Sequence, residues 1–278
     1  MRLRSLLFVP GDRGDRMEKA LASGADALIL DLEDAVLPAA KGAARETTAA
    51  FLRRSDRQIP VFVRVNPLGS GMTADDVAAV LDARPDALVL PKAEGAASVA
   101  ALAALAPGVP ILPIATETPA AIFALGSYAQ VATSLAGLTW GAEDLPAAIG
   151  ATSAREADGR YTPPYELARS LMLFAAHAAR VPAIETVYPA FRDLEGLERY
   201  VARAARDGFT AMLAIHPAQV PVINAGMTPD AATVAHAQAV IAAFAAAPGA
   251  GAVQIDGRML DAPHLALART VLTRAGRD

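Results

Sequence analysis

The chain has 278 residues, 54% of them hydrophobic, and its 25 basic and 29 acidic side chains leave a net charge of −4. That length suits one barrel of about 250 residues with a small additional element, and the apolar fraction supports a large core. The mild acidity and the lack of a basic tract argue against a nucleic-acid partner. The lack of cysteine excludes disulfides and thiolate metal sites, and no run reaches the roughly 18 apolar residues of a membrane span.

The N-terminal MRLRSLLFVPGDR starts basic, but its apolar run of about five residues is too short for a secretory signal, so a cytoplasmic soluble enzyme is expected. SLLFVP (5–10) reads as a first strand, followed by a helix over 13–24 with Gly24 as its C-cap. ALILDLED (27–34) is the second strand, and Pro38 opens a helix before AAKGAARETTAAFLRR. PVFVRV (60–65) is the third; Thr73 with Asp76 three residues on resembles a capping box for the helix that follows. ALVLPK (87–92), a helix over 94–106, PILPIATE (110–117) and LAGLTWGAED (135–144) continue the alternation. The longest interval then holds a polar loop, ATSAREADGRYTPP, and a helix over 162–180. AIETVYP (183–189), a helix capped by Asp193 and stopped at Gly208, and AMLAIHP (211–217) complete eight strand–helix units.

Strands alternating with helices predict a parallel sheet covered by helices, and eight such units predict an α/β (β/α)8 TIM barrel over residues 1–225. The remainder, 226–278, reads as a helix with Thr228 as N-cap and Pro229 at N1, a hairpin turning at Asp256-Gly257, and a final helix over 263–275. This helix–hairpin–helix tail is a structural cap or a lid.

Nearly every apolar run ends in a polar side chain: Asp12 and Arg13, Glu33 and Asp34, Arg64, Lys92, Glu117, Glu143 and Asp144, Tyr188, His216. In a barrel those ends converge on one mouth. Glu117 and Asp144 close neighbouring strands and suit Mg²⁺, a hard cation that takes oxygen ligands and keeps waters; each alone would equally serve as a helix cap or ion-pair partner. Glu33 and Asp34 either bond metal-bound waters or hold a basic group. Arg64 neutralises these carboxylates or forks onto a substrate carboxylate. Lys92 is a Schiff-base nucleophile or the partner of Glu33 or Glu94. Arg13, Arg16 and Lys19 either grip phosphates or form a solvated face. Of the four histidines, which share no ligand spacing, only His216 is placed for chemistry, and a histidine before proline is often structural.

RSLLFVPGDRGDRMEKALASGADALILDLEDAV closely resembles the opening of the citrate lyase β-subunit-like family, which includes malyl-CoA and citramalyl-CoA lyases. FVRVNP, VLPKAE, ATET, TWGAEDL, FRDLEGL, AIHPAQVPVIN and DGRMLDAP extend the resemblance over essentially the whole chain. It implies a barrel of the phosphoenolpyruvate/pyruvate superfamily with a C-terminal lid, and cleavage of a 3-hydroxyacyl thioester into a 2-oxo acid and an acyl thioester. Glu117 and Asp144 would hold Mg²⁺, Arg64 would contact substrate, and Glu33 and Asp34 would stand behind them. Arg13, Arg16 and Lys19 would bind the phosphates of an acyl-CoA. Asp261 would reach a neighbouring subunit's mouth as acid/base within a homotrimer or hexamer; from the residues alone it is only a cap between hairpin and helix. Glu185 stands where the family commonly has aspartate, and its place near the mouth bears on substrate identity. The rival expectations are a CoA-independent class II pyruvate aldolase, which would not need Arg13 or Lys19, and a non-catalytic binding subunit on a retained barrel.

Overall fold

The computed structural model describes residues 3–277. Eight parallel strands follow the eight apolar runs: β1 (Ser5–Pro10), β2 (Ala27–Asp31), β3 (Val61–Arg64), β4 (Ala87–Leu90), β5 (Ile111–Pro113), β6 (Leu138–Thr139), β7 (Ala183–Glu185) and β8 (Ala211–Ala214). Their order around the sheet is β5-β4-β3-β2-β1-β8-β7-β6. Parallel bridges from Ile111 to Leu135 and from Ile114 to Thr139 join the two ends, so the sheet closes into a (β/α)8 barrel.

Alternation along the strands fills the barrel. Leu6, Ala27, Ile29, Phe62, Ala87, Val89, Leu112, Ile114, Ile184, Ala211 and Leu213 form one buried cluster, with Phe8 and Val187 packed against it. Successive side chains on a strand point to opposite faces, so one residue in two is committed to this interior. β5 and β6 are shorter than their apolar runs. Pro113 has no N–H with which to extend a ladder, and Asp144 lies beyond β6, as the first residue of a short helix, Asp144–Ile149.

The helices differ from expectation at several caps, and the first ends at Leu21 with Ala22 as its C-cap, short of Gly24. Thr73 is the first residue of its helix rather than its cap; its hydroxyl donates to the carbonyls of Asn66 and Pro67. Asp76 turns to the Asn66 amide and to Arg45 instead of closing a capping box. Asp193 caps its helix through the Gly196 N–H as expected. No helix among the described residues is long and apolar enough to cross a membrane.

From Ala225 onward the chain forms a second compact unit. Helix Ala231–Ala246 is capped by Asp230, which accepts from the Thr233 N–H, so it starts later than Thr228 suggests. β9 (Ala252–Ile255) and β10 (Arg258–Asp261) pair antiparallel across Asp256-Gly257. Both turn residues have positive φ, the left-handed conformation that a two-residue hairpin turn requires. Helix Ala262–Ala275 follows. Ala237, Val240, Leu260 and Ala268 give this unit a small core of its own.

Candidate active site

The mouth is built by carrying the interior face of each strand one step further. Ala27 and Ile29 face the barrel interior, so Asp31 does too; Phe62 does, so Arg64 follows. Asp31 and Arg64 are register partners in β2 and β3. The guanidinium forks onto Asp31, Nε to Oδ1 at 2.7 Å and Nη2 to Oδ2 at 2.6 Å, and its Nη1 lies 2.8 Å from Glu33 Oε2. The Phe8 ring lies 4.9 Å below it. Burial works against the Arg64 charge, but Asp31 and Glu33 more than offset this and hold its pKa above the ordinary value.

Glu33 is buried, and its other oxygen takes Lys92 Nζ at 3.0 Å. Burial pushes the Glu33 carboxyl upward, against the pull of Arg64 and Lys92. The same ammonium lies 3.1 Å from Asp144 Oδ1, and the backbone N–H of Lys92 donates to Glu117 Oε2 at 2.5 Å. Lys92 thus gathers three carboxylates from separate segments. It does so with φ +51°, in the left-handed region, which costs a non-glycine residue roughly 1–2 kcal/mol. Of the two sequence alternatives for Lys92, the structure shows the ion pair with Glu33; Glu94 instead accepts from the Thr118 hydroxyl.

Glu117 is only 4% exposed and has that one hydrogen bond. Burial pushes its carboxyl up to about 8; the Lys92 N–H opposes this and the nearby Asp144 charge adds to it. Gly141 leaves it room, because a Cβ there would stand 2.5 Å from Glu117 Cγ. Glu117 and Asp144 line a cavity of about 220 Å³ together with Asp34, Arg64, Trp140 and Glu143. A buried carboxylate short of partners beside a second carboxylate fits a hard divalent cation. Among the described residues no group of three or more His, Asp or Glu side chains could hold a metal. Two protein oxygens would leave the other positions to water and substrate, which is how such sites usually work.

Four supporting residues escape the sequence reading. Asp31 was hidden behind the more conspicuous Glu33 and Asp34; the period-two count from Ala27 would have found it. Lys41 is buried, and its Nζ donates to the carbonyls of Leu32 and Glu33 and to Asn66 Oδ1, which fixes the turn carrying Glu33. Asp76 in turn accepts from the Asn66 N–H and Nδ2. Lys41, Asn66 and Asp76 meet only through the fold, and no local pattern announces them.

The remaining expected residues are not all at the mouth. Arg13, Arg16 and Lys19 line a separate cleft of about 510 Å³ that shares Phe8 and Ile215 with the mouth cavity. Arg13 is ion-paired with Asp15 at 2.9 Å. His216 lines this cleft, but its Nδ1 accepts from the Ala218 N–H and its ring stacks on Phe191, so it works as a helix cap. Glu185 does not face the mouth. Ile184 takes the interior position in β7, and Glu185 points the other way, where it binds Arg169, Trp140 Nε1 and the Tyr200 hydroxyl. Asp261 belongs to the second unit, where it precedes helix Ala262–Ala275 with its Oδ1 2.6 Å from His264 Nδ1.

A closed barrel with buried ion pairs and an under-partnered carboxylate pair at the carboxyl ends of its strands defines a (β/α)8 enzyme. Residues 4–217 match the family model described as HpcH/HpaI aldolase/citrate lyase. A citrate lyase subunit beta-like protein of Mycobacterium tuberculosis is 38% identical, over 97% of this chain and 94% of its own length. A (3S)-malyl-CoA thioesterase of Cereibacter sphaeroides is 34% identical, over 98% of this chain and 94% of its own. The crystal structure of protein CitE from Mycobacterium tuberculosis, in complex with magnesium, acetoacetate and coenzyme A, superposes with a TM-score of 0.86 at 36% identity, covering 99% of this chain and 98% of that one. The chain belongs to the HpcH/HpaI aldolase/citrate lyase family, and its relatives mark it as a lyase, with thioesterases also among them.

Proposed function

We propose that this protein is a Mg²⁺-dependent carbon–carbon lyase that cleaves, or forms, a 3-hydroxyacyl-CoA such as malyl-, citramalyl- or citryl-CoA, with a 2-oxo acid and an acyl-CoA on the other side. The observation that carries this reading is the pair Glu117 and Asp144, one deeply buried and pushed up to about 8, in a cavity that also holds Arg64. The relative bound to magnesium, acetoacetate and coenzyme A supports the cofactor and the substrate class.

Glu117 and Asp144 would hold the cation, which supplies positive charge to the substrate oxygen that becomes the keto oxygen. Arg64 keeps N–H groups on Nη1 and Nη2 beyond its two hydrogen bonds to Asp31, and these can meet the substrate carboxylate. Glu33 and Asp31 hold Arg64 and Lys92 in place, so little reorganisation is needed as charge develops. Asp34, exposed at the rim of the same cavity, can order water there. The substrate hydroxyl would give up its proton to water at the mouth as its oxygen becomes the keto oxygen, and the electron pair of the breaking carbon–carbon bond would pass to the thioester α-carbon. Asp261 would give that carbon its proton, or remove it in the condensing direction. Residues 226–278 would serve as the lid that brings Asp261 to a neighbouring copy, within a homotrimer or hexamer. Arg13, Arg16 and Lys19 would hold the CoA phosphates, because their cleft shares walls with the mouth.

The thioesterase relative favours a second reading, hydrolysis of malyl-CoA at the same site. Incubation with Mg²⁺ and a panel of 3-hydroxyacyl-CoA esters, followed by mass spectrometry, separates the two. A lyase releases a 2-oxo acid and a shorter acyl-CoA, and hydrolysis releases free CoA and the hydroxy acid. Neither product with any ester removes both readings.

A further inference from the structure

We infer that Thr116 is a positioning residue for the two cation-binding carboxylates: its hydroxyl clamps the chain after β5 to the chain after β6 and so sets the spacing between Glu117 and Asp144. This rests on the metal reading above and adds the residue that holds its geometry.

The need for a clamp comes from how the barrel closes. The other seven neighbouring strand pairs share two to five consecutive register pairs each. β5 and β6, only three and two residues long, meet through the bridges Ile111–Leu135 and Ile114–Thr139 alone. From one bridge to the next the first segment advances three residues and the second four, so the register slips by one, as at a bulge. Among the described residues the last backbone bond across this seam runs from the Ala115 N–H to the Thr139 carbonyl, at 2.8 Å. Glu117 and Asp144 both lie beyond it, so the ladder does not fix the distance between them.

Thr116 takes over where the ladder stops. It is fully buried, and its hydroxyl accepts from the Gly141 N–H at 3.1 Å and donates to the Gly141 carbonyl at 3.0 Å. One hydroxyl therefore pins both the position and the orientation of Gly141. A Cβ on Gly141 would stand 2.5 Å from Glu117 Cγ, so any shift of this residue is felt at Glu117. On the other side the segment is held through Trp140, whose Nε1 donates to Glu185. The helix that begins with Asp144 follows directly. Without the clamp, two carboxylates that repel each other are drawn together only by Lys92, through its backbone N–H to Glu117 and its ammonium to Asp144. A cation at this pair competes with that ammonium, whereas the Thr116 clamp can stay in place when the ion binds. Loss of a residue that orients metal ligands from behind typically costs about 10–100-fold in metal affinity.

The test compares the intact wild-type protein with Thr116→Val, which keeps the side-chain shape and removes the hydroxyl, and Thr116→Ser, which keeps the hydroxyl. Thermal melts establish that each is folded at the working temperature; if Thr116→Val does not fold, Thr116→Ala removes the same hydroxyl without pressing a methyl group against the Gly141 carbonyl. The first readout needs no metal: hydrogen exchange at the Gly141 amide should quicken by about tenfold or more in Thr116→Val and stay close to wild type in Thr116→Ser, since a donor without its acceptor is exposed to opening. The second is Mg²⁺ titration by calorimetry. Its Kd should rise at least about tenfold in Thr116→Val and stay within about threefold in Thr116→Ser. A folded Thr116→Val that binds Mg²⁺ as tightly as wild type overturns the inference, because a merely structural threonine would lower the melting temperature and leave affinity alone. Equal weakening in Thr116→Ser overturns it too, since the methyl group and not the hydroxyl would then matter. A wild-type protein that binds no Mg²⁺ fails the metal reading and this inference with it, an outcome distinct from either of those.

Discussion

Glu117 and Glu185 are both buried glutamates near the carboxyl ends of neighbouring parts of one barrel, and they have opposite surroundings. Glu185 is fully enclosed and saturated: Arg169 Nε at 2.7 Å, Trp140 Nε1, the Tyr200 hydroxyl at 2.9 Å and the Thr186 N–H at 3.0 Å all point at it. Arg169 continues to Asp207 at 2.7 Å, so the charge is shared across two helices. Glu117 has one backbone donor and a second carboxylate nearby, and its carboxyl is pushed up to about 8. A saturated buried carboxylate anchors packing. An under-partnered one is an unfavourable feature for folding, and its place at the mouth marks it for binding a cation.

The largest effects should separate these two roles. Glu117→Gln is expected to lower turnover by roughly 10³-fold or more, because charge stabilisation at the reacting oxygen is lost. Its metal-free melting temperature at about pH 8 and above should hold or rise, since an awkward buried charge is removed. Arg169→Ala should do the reverse. Removing one partner of a buried pair costs about 3–5 kcal/mol, read by denaturant melts, while the mouth keeps its ligands. Equal loss of stability in both variants would break the comparison.

The distinction also gives a pH dependence. The Glu117 carboxyl in the folded, metal-free protein is raised from the ordinary 4.5 to about 8. Between those values the folded chain holds a proton there that the unfolded chain lacks. This contribution to stability is therefore full below the window and lost as pH rises through it. A cation at Glu117 expels that proton, so Mg²⁺ affinity should rise with pH and level off above about 8. Calorimetry at pH 7 in buffers of different ionisation enthalpy should show proton release, absent at about pH 9.

A smaller effect sharpens the contrast between the buried mouth and the exposed cleft beside it. Arg16→Ala and Lys19→Ala remove exposed charges, each contributing about 0.5–1 kcal/mol to holding an anionic ligand. KM for the CoA ester should rise several-fold, less so at high salt, with kcat little changed. A change in kcat alone would place these residues in the chemistry instead.

The eight strands were legible because apolar runs of strand length, separated by helical stretches, leave few other arrangements. Residues at the strand ends were legible for the same reason: Glu33, Arg64 and Glu117 fall at or just beyond the strands that carry them. What the pattern could not resolve was facing. Glu185 and Ile184 are adjacent in sequence and point to opposite sides of the barrel wall, so a one-residue difference decides between anchor and mouth. Lys41, Asn66 and Asp76 come from three separate segments and meet only in the folded chain, so no spacing signals them. Asp261 is intermediate: its place before a helix was readable from the residues, whereas its role in chemistry rests on family resemblance.

The central claim is that Glu117 and Asp144 jointly hold one divalent cation. Magnesium titration of the wild-type protein, Glu117→Gln and Asp144→Asn, followed by calorimetry and by diffraction from Mn²⁺-soaked crystals, tests it directly. The account expects one site per chain, lost in both variants, with the anomalous peak between the two carboxylates and the Lys92 ammonium displaced from Asp144. A cation bound elsewhere, or undiminished binding in both variants, would contradict it.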